Sequence, residues 1–533
     1  MEHKYQEGDV RHLLQSSESS NDDSDSETRE RYGTVNIQNK ESHTFEEAID
    51  AAGFGLYHYM LLCVCGWANA SDAVEMLCVS FLMPQAKTDM HLTGLEEGWL
   101  SATIFVGMMV GSYFWGALGD VRGRKAVLVY SLFMNGFFGL ASSFMQSYVP
   151  FLFMRFLSGI GVGGSMPVIF AYFCEFQPKK RRGAMLTAIS MFWILGNVIT
   201  AGLAWIIIPR THLGYFSEHF TFNSWRIFVV VCTLPSFTSS LSFAILPESP
   251  KFLLENGQET QALNVLRSVF LVNNRKKKKT DYFVKILQPS QQARKRSARI
   301  ALSQVSFFTK IKNNFLFVIS STKQLFLSPY LLVTLNLLGI IFSLAFGYYG
   351  LWLWFPELFL RVEQSGGSAC SELSPNVTIN TNNTDNSVYR DAFITAAANV
   401  PGNLFATLTV DKLGRKVLLC GSLLISGASV FFIWFLNTKI EVLAMSCIFG
   451  GVSVISWAVL NVVGAESYPT NMRSTALGVQ SLTNRIGAVV GNVIFGVFID
   501  LHCAVPILSV AILLAFAGII TLRLPNTKKT DLL

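Results

Sequence analysis

The feature that most limits this chain is a succession of twelve apolar runs, each near the roughly 20 residues a helix needs to cross a hydrocarbon core about 30 Å thick. They lie near 57–84, 99–119, 126–147, 149–174, 184–208, 227–246, 329–355, 391–410, 417–436, 441–464, 474–499 and 504–523. Lipid offers the backbone no hydrogen-bond partner, so runs of this length predict helices that satisfy their own N–H and C=O groups. Composition agrees: 51% of residues are hydrophobic and 14% charged, where average usage is about 25% charged. That much apolar surface does not fit a soluble enzyme, and the absence of a short period does not fit a coiled coil or collagen.

The longest polar interruption, about 247–328, divides the runs six plus six. The organisation predicted is an acidic tail over 1–56, a six-helix bundle over 57–246, a basic linker over 247–328, a second bundle over 329–523 and a tail over 524–533. An even number of spans puts both termini on one side. Short loops on that side hold thirteen Lys/Arg, among them Arg122, Arg124, Lys125 and Lys179 to Arg182, against five opposite: Lys87, Arg210, Arg361, Arg390 and Lys439. This asymmetry predicts cytoplasmic termini. The net charge of +7 sits in short clusters between apolar runs, which sets topology and gives no nucleic-acid footprint. The first 56 residues carry 13 Asp/Glu against 5 Lys/Arg, unlike a secretory signal, so the first apolar run is expected to direct insertion.

An internal repeat runs through the chain. Asp120, Gly123, Arg124, Glu175 and Arg182 recur as Asp411, Gly414, Arg415, Glu466 and Arg473, every pair 291 residues apart. Duplicated six-helix halves are a signature of secondary transporters, whose sites lie between the repeats near the midplane.

The first copy reads Gly116-Ala-Leu-Gly-Asp120-Val-Arg-Gly123-Arg124-Lys125; the second has Thr407 where the leading glycine stands. A sharp turn with a carboxylate at a helix end suits a latch made of Asp, Arg and a helix N-terminus, which must break when the halves rock. Occurring twice at one offset, the pattern resembles the major facilitator superfamily. Glu175-Phe-Gln-Pro-Lys-Lys-Arg-Arg182 and Leu246-Pro-Glu-Ser-Pro-Lys251 look like sugar and organic-ion porters. Thr44-Phe-Glu-Glu-Ala-Ile-Asp50, Ser71-Asp72-Ala-Val-Glu75, Ser158 to Ser165, Met191-Phe-Trp193, Tyr348-Tyr349, Trp354-Phe-Pro-Glu357 and Gly450 to Trp457 look like the synaptic vesicle glycoprotein 2 family over roughly residues 44–525. The family's large glycosylated luminal domain is replaced here by a loop of about 30 residues, 361–390, and its acidic residue four positions after the tryptophan of helix ten by Asn461.

Four charged residues fall well inside predicted helices: Asp72, Glu75, Arg155 and Arg485. Each costs roughly 2.5–3.5 kcal/mol at a helix centre, so they are expected to face a cavity or one another. Asp72 and Glu75, at i and i+3, share a helix face. They either bind a cationic solute or a coupling proton, or form a buried ion pair with Arg155 or Arg485 that only holds helices together. The resemblance implies a ligand pocket around Trp193, Tyr348, Tyr349 and Trp457, with Asn197 and Asn461 nearby.

Gly159-Ile-Gly161-Val-Gly-Gly164 satisfies a dinucleotide spacing, but it lies inside an apolar run with no strand before it and reads as a helix-packing stripe. No Walker loop or metal-ligand spacing is present, so no cofactor is expected. Asn376-Val-Thr378 and Asn382-Asn-Thr384 are glycosylation acceptors in the luminal loop. Cys370 and Cys503 share that side, either bridged or as two free thiols.

The expectation is an all-α membrane protein with twelve transmembrane helices, a major facilitator fold in two pseudo-symmetric halves. It is a non-enzyme that carries a small organic solute, a cation among the candidates, by alternating access in a secretory or synaptic-type vesicle or the plasma membrane. The resemblance also leaves open a non-transporting vesicle protein that regulates trafficking or exocytosis, with partners on the N-terminal tail.

Overall fold

The computed structural model describes residues 42–210, 213–216, 220–275, 281–288, 322–364, 386–436, 438–499, 501–502 and 504–524. Twelve helices among them are long and apolar enough to cross a membrane, the number the apolar runs predict.

Ahead of the first span stand a two-residue strand β1 (Ser42–His43) and a short helix α1 (Phe45–Ala52). A reciprocal capping box starts α1: the Glu47 amide donates to Thr44 Oγ1 and the Thr44 amide to Glu47 Oε2. The first bundle comprises α2 (Leu56–Met90), α3 (Gly94–Arg122), α4 (Arg124–Ser143), α5 (Tyr148–Glu175) and α6 (Arg182–Ile207). A small antiparallel pair, β2 (Tyr215–Phe216) and β3 (Thr221–Phe222), then leads to α7 (Ser224–Ile245).

The polar linker is not featureless. Ser249 caps α8 (Pro250–Glu255), whose first residue is the proline that tolerates that position, and α9 (Glu259–Asn273) follows. Strand β4 (Ile286–Leu287) pairs in parallel with β1. Asn273 donates to the carbonyls of Ala52 and Gly53 at 3.2 and 2.8 Å and accepts from the Tyr57 amide at 3.0 Å. Tyr282 donates to the Ala48 carbonyl at 2.6 Å. The segment before the first span and the one after the sixth thus form one cap on the first bundle.

The second bundle runs α10 (Leu331–Trp352), α11 (Phe355–Gln364), α12 (Asn386–Ala397), α13 (Asn399–Leu413), α14 (Arg415–Ile433), α15 (Lys439–Glu466), α16 (Thr470–Phe498) and α17 (Ala504–Thr521). Here the expected boundaries shift. The seventh span ends at Trp352 and re-forms as α11, and the eighth is broken at Ala398 into α12 and α13. The loop expected over 361–390 begins after Gln364 and ends before Asn386. Hydropathy stops at the first charges, whereas the helix continues through Glu357 and Arg361, which pair at i,i+4 with 3.1 Å between them.

The halves repeat each other in backbone as in sequence. Gly123, between α3 and α4, has φ +99°, and Gly414, between α13 and α14, has φ +87°. L side chains rarely adopt these values, which is why both copies carry glycine. The glycine stripe of α5 lies inside a helix and packs against two neighbours, as the small-residue reading expects. A Cβ at Gly161 would sit 2.7 Å from the Asn135 amide and the Ser131 carbonyl of α4, while Gly159 and Gly163 press on the backbone of α3 at Ile104 and Met108.

Candidate functional site

Helix α2 carries the two intramembrane acids, and both are fully buried on the face turned to α5. They reach different partners. Arg155 Nη1 donates to Glu75 Oε1 at 2.6 Å, and the Ser158 hydroxyl lies 2.7 Å from the same oxygen. Ser158 is also 2.9 Å from Asn135 Oδ1, and Asn135 donates to Ser236 at 3.1 Å, so the network links α2, α4, α5 and α7 inside the first half. The Arg155 guanidinium stands over the Phe151 ring at 5.4 Å. A guanidinium and carboxylate at this distance compensate each other's desolvation.

Asp72, one turn earlier, meets only a hydroxyl: Ser165 lies 2.9 and 2.8 Å from its two oxygens. In the second half stands Arg485 of α16, 7% exposed, within electrostatic reach of Asp72 and close to Tyr349. Arg485 makes no hydrogen bond or ion pair with any described residue. Of the four intramembrane charges, one pair is closed and the other stays apart.

Beside Arg485 the second half builds an aromatic panel. Tyr348 and Tyr349 of α10 meet Trp457 of α15 at ring-centroid distances of 6.1 and 5.9 Å, and Tyr348 stacks on Trp352 at 5.5 Å. Tyr349 reaches Phe105 of the first half at 4.9 Å. Trp457 Nε1 is buried without a hydrogen-bond partner. Asn461, one turn beyond, is exposed. Trp193 and Asn197 lie on α6; Asn197 is buried and Trp193 borders the main core, with no ring contact to the panel among the described residues. Asn403 Nδ2, 2.7 Å from Met191 Sδ, ties α13 to α6 nearby.

On the side where α2 begins and α17 ends, the repeated motif forms matched pairs. Arg124 Nε lies 3.5 Å from Glu175 Oε1, and Arg415 pairs with Glu466 in the same way 291 residues later. Arg182 pairs with Glu46 of α1 at 3.3 Å. Arg473 Nε has no hydrogen-bond partner. The side chains of Asp120 and Asp411 lie outside the described ones, so their expected part in the latch has no geometry here, and Gly116 meets nothing within 4 Å. The carboxylate at the N-terminus of α4 belongs to Glu248, which accepts from the Arg124 and Lys125 amides at 3.1 and 3.0 Å. The sequence offered its Leu246-Pro-Glu-Ser-Pro motif but no sign of that contact.

The opposite, distal side holds a cluster that crosses between halves. Lys87 at the end of α2 lies 2.7 Å from Glu97 of α3 and 3.6 Å from Glu357 of α11. Arg361 pairs with Glu357 and donates to the Ile499 carbonyl at 3.1 Å. Backbones touch beside it: a Cβ at Gly98 would sit 2.9 Å from the Asn492 carbonyl and 3.1 Å from Gly496 Cα. Phe81 meets Tyr389, Trp205 meets Phe393, and Ser80 donates to the Leu353 carbonyl at 2.7 Å, all between halves. Sequence reasoning passed over this seal because Lys87, Glu97 and Glu357 sit at helix ends, where charge is ordinary. Asn376, Asn382, Cys370 and Cys503 lie outside the described residues.

Comparison with known proteins agrees with this architecture. Residues 56–350 match the "Sugar (and other) transporter" family and residues 392–532 the "Major Facilitator Superfamily". Synaptic vesicle glycoprotein 2B of Mus musculus is 31% identical over 602 residues, covering 92% of this chain and 87% of the relative. Synaptic vesicle glycoprotein 2C of Rattus norvegicus is 30% identical, covering 91% and 80%. The inward-open xylose transporter XylE from E. coli aligns with a TM-score of 0.64 at 16% identity over 89% of this chain and 98% of that one. The D-xylose-proton symporter crystal structure gives 0.61 at 16%, over 89% of this chain and 100% of that one, and both are likenesses of fold. The chain is a multi-pass membrane protein of the major facilitator superfamily, and within it belongs to the synaptic vesicle glycoprotein 2 family.

Proposed function

We propose that this protein is a secondary transporter that moves a small organic solute by alternating access, with both termini cytoplasmic and, as the names of its relatives suggest, in a vesicle membrane. One observation carries the reading: the Lys87–Glu97–Glu357 cluster joins the halves on the distal side, whereas the described terminal-side pairs Arg124–Glu175, Arg182–Glu46 and Arg415–Glu466 each lie within one half. A rocking carrier caught in its inward-facing state has this distribution of contacts. The aromatic panel, Asn461 and the uncompensated Asp72 and Arg485 then form the midplane site, and the Arg124–Glu175 and Arg415–Glu466 pairs are its inner latches.

A cationic solute would need a free acid. Glu75 is already neutralised by Arg155 and Asp72 feels Arg485, so the charges do not favour a cation. Uptake into proteoliposomes over a panel of amines, sugars and organic anions, with and without a pH gradient, tests the reading. Saturable, counterflow-competent uptake of at least one member is expected. Absence of uptake for the whole panel, in protein that unfolds cooperatively and inserts fully, would overturn it.

A further inference from the structure

We infer that Arg485 anchors an oxyanion on the transported solute, so that the site takes a small organic carboxylate with an apolar or aromatic body. The inference deepens the transport reading and rests on it.

A lone guanidinium within the membrane is costly, and such groups normally meet a carboxylate, as Arg155 meets Glu75 at 2.6 Å. Arg485 is 7% exposed and has neither a hydrogen bond nor an ion pair with a described residue. Asp72 supplies only through-space attraction, because its two oxygens face the Ser165 hydroxyl. Five N–H donors are therefore held beside the boundary of the halves with no acceptor among the described residues. A planar fork of this kind matches the two oxygens of a carboxylate, which it binds bidentately.

The neighbours suit the rest of such a molecule. Tyr349 lies within electrostatic reach of Arg485 and forms, with Tyr348 and Trp457, a surface on which a flat body stacks. Trp457 Nε1, a donor without a partner, and Asn484 Oδ1, an acceptor without one beside Arg485 in sequence, remain for polar substituents. Glu75 is closed by Arg155 and Asp72 by the Ser165 hydroxyl, which leaves the Arg485 guanidinium as the group whose donors are open to a ligand.

The test uses the full chain in liposomes of neutral phosphatidylcholine, which removes anionic headgroups as competitors. The probes are benzoate, benzamide and benzylamine, matched in shape and differing in charge. Binding is read from Trp fluorescence and thermal unfolding, and transport from radiolabel uptake. Benzoate is expected to bind at least tenfold more tightly than the other two. Arg485→Gln should abolish that preference and Arg485→Lys keep part of it. Arg485→Gln should also leave the apparent Tm of the empty protein unchanged or raised, since an unpaired buried charge is removed; a merely structural pairing with Asp72 would lower it.

Benzamide or benzylamine handled as well as benzoate, or benzoate binding indifferent to Arg485→Gln, would overturn the carboxylate inference and leave transport standing. Failure of all three to bind or be taken up would sink the inference, and the transport reading would fall only if the wider panel were also refused.

Discussion

Arg155 donates to Glu75 across 2.6 Å in the interior of the first bundle, with neither side chain reaching solvent. This pairing separates the two acids of α2, which the sequence places on one face, into one closed by a guanidinium and one that meets only the Ser165 hydroxyl. Glu75 belongs to a network closed by Ser158, Asn135 and Ser236. Asp72 lies outside that network, with Ser165 against both its oxygens.

Breaking that pair leaves a buried charge without compensation. Glu75→Gln or Arg155→Gln should each destabilise the fold by about 3–5 kcal/mol, read as a lower apparent Tm in detergent. The double apolar variant Glu75→Leu/Arg155→Met should recover most of the loss. A single variant as stable as wild type would show that the pair does not hold the bundle.

The distal seal depends on Gly98, where the backbones of α3 and α16 approach too closely for a side chain. Gly98→Val should hold that side open. Labelling of a Ser80→Cys probe by a membrane-impermeant thiol reagent from the distal side should then accelerate at least several-fold, in a background lacking Cys370 and Cys503, the cysteines expected on that side. Unchanged labelling would mean that the seal closes elsewhere.

Arg124–Glu175 and Arg415–Glu466 occupy equivalent places and are partly solvated, so each contributes little to stability, about 1 kcal/mol or less. Arg124→Ala and Arg415→Ala should leave Tm nearly unchanged. Each should cut the uptake rate by roughly tenfold, an expectation for latches that set interconversion between states. A deep defect from one and none from the other would argue against equivalent latches.

Glu248 satisfies two amides at the start of α4 and places negative charge on a helix N-terminus. Glu248→Gln should loosen that turn by about 1 kcal/mol, roughly fivefold faster hydrogen exchange at Arg124 and Lys125. Exchange at α10 should not change, which separates a local cap from general destabilisation.

The sequence by itself determined the twelve spans, their division and the duplication, because lipid imposes a helix of fixed length and a repeat at 291 residues leaves matched motifs in both copies. It also brought forward Asp72, Glu75, Arg155 and Arg485, since charge in an apolar run stands out without any structure. Only the tertiary structure decided how these four divide. Whether Glu75 or Asp72 meets Arg155 depends on the rotation and approach of α2 against α5, which the packing of the whole bundle sets and a one-dimensional pattern does not record. The distal cluster of Lys87, Glu97 and Glu357 was hidden for the same reason: three residues at three helix ends become a seal only when two bundles meet, and hydropathy does not encode that meeting.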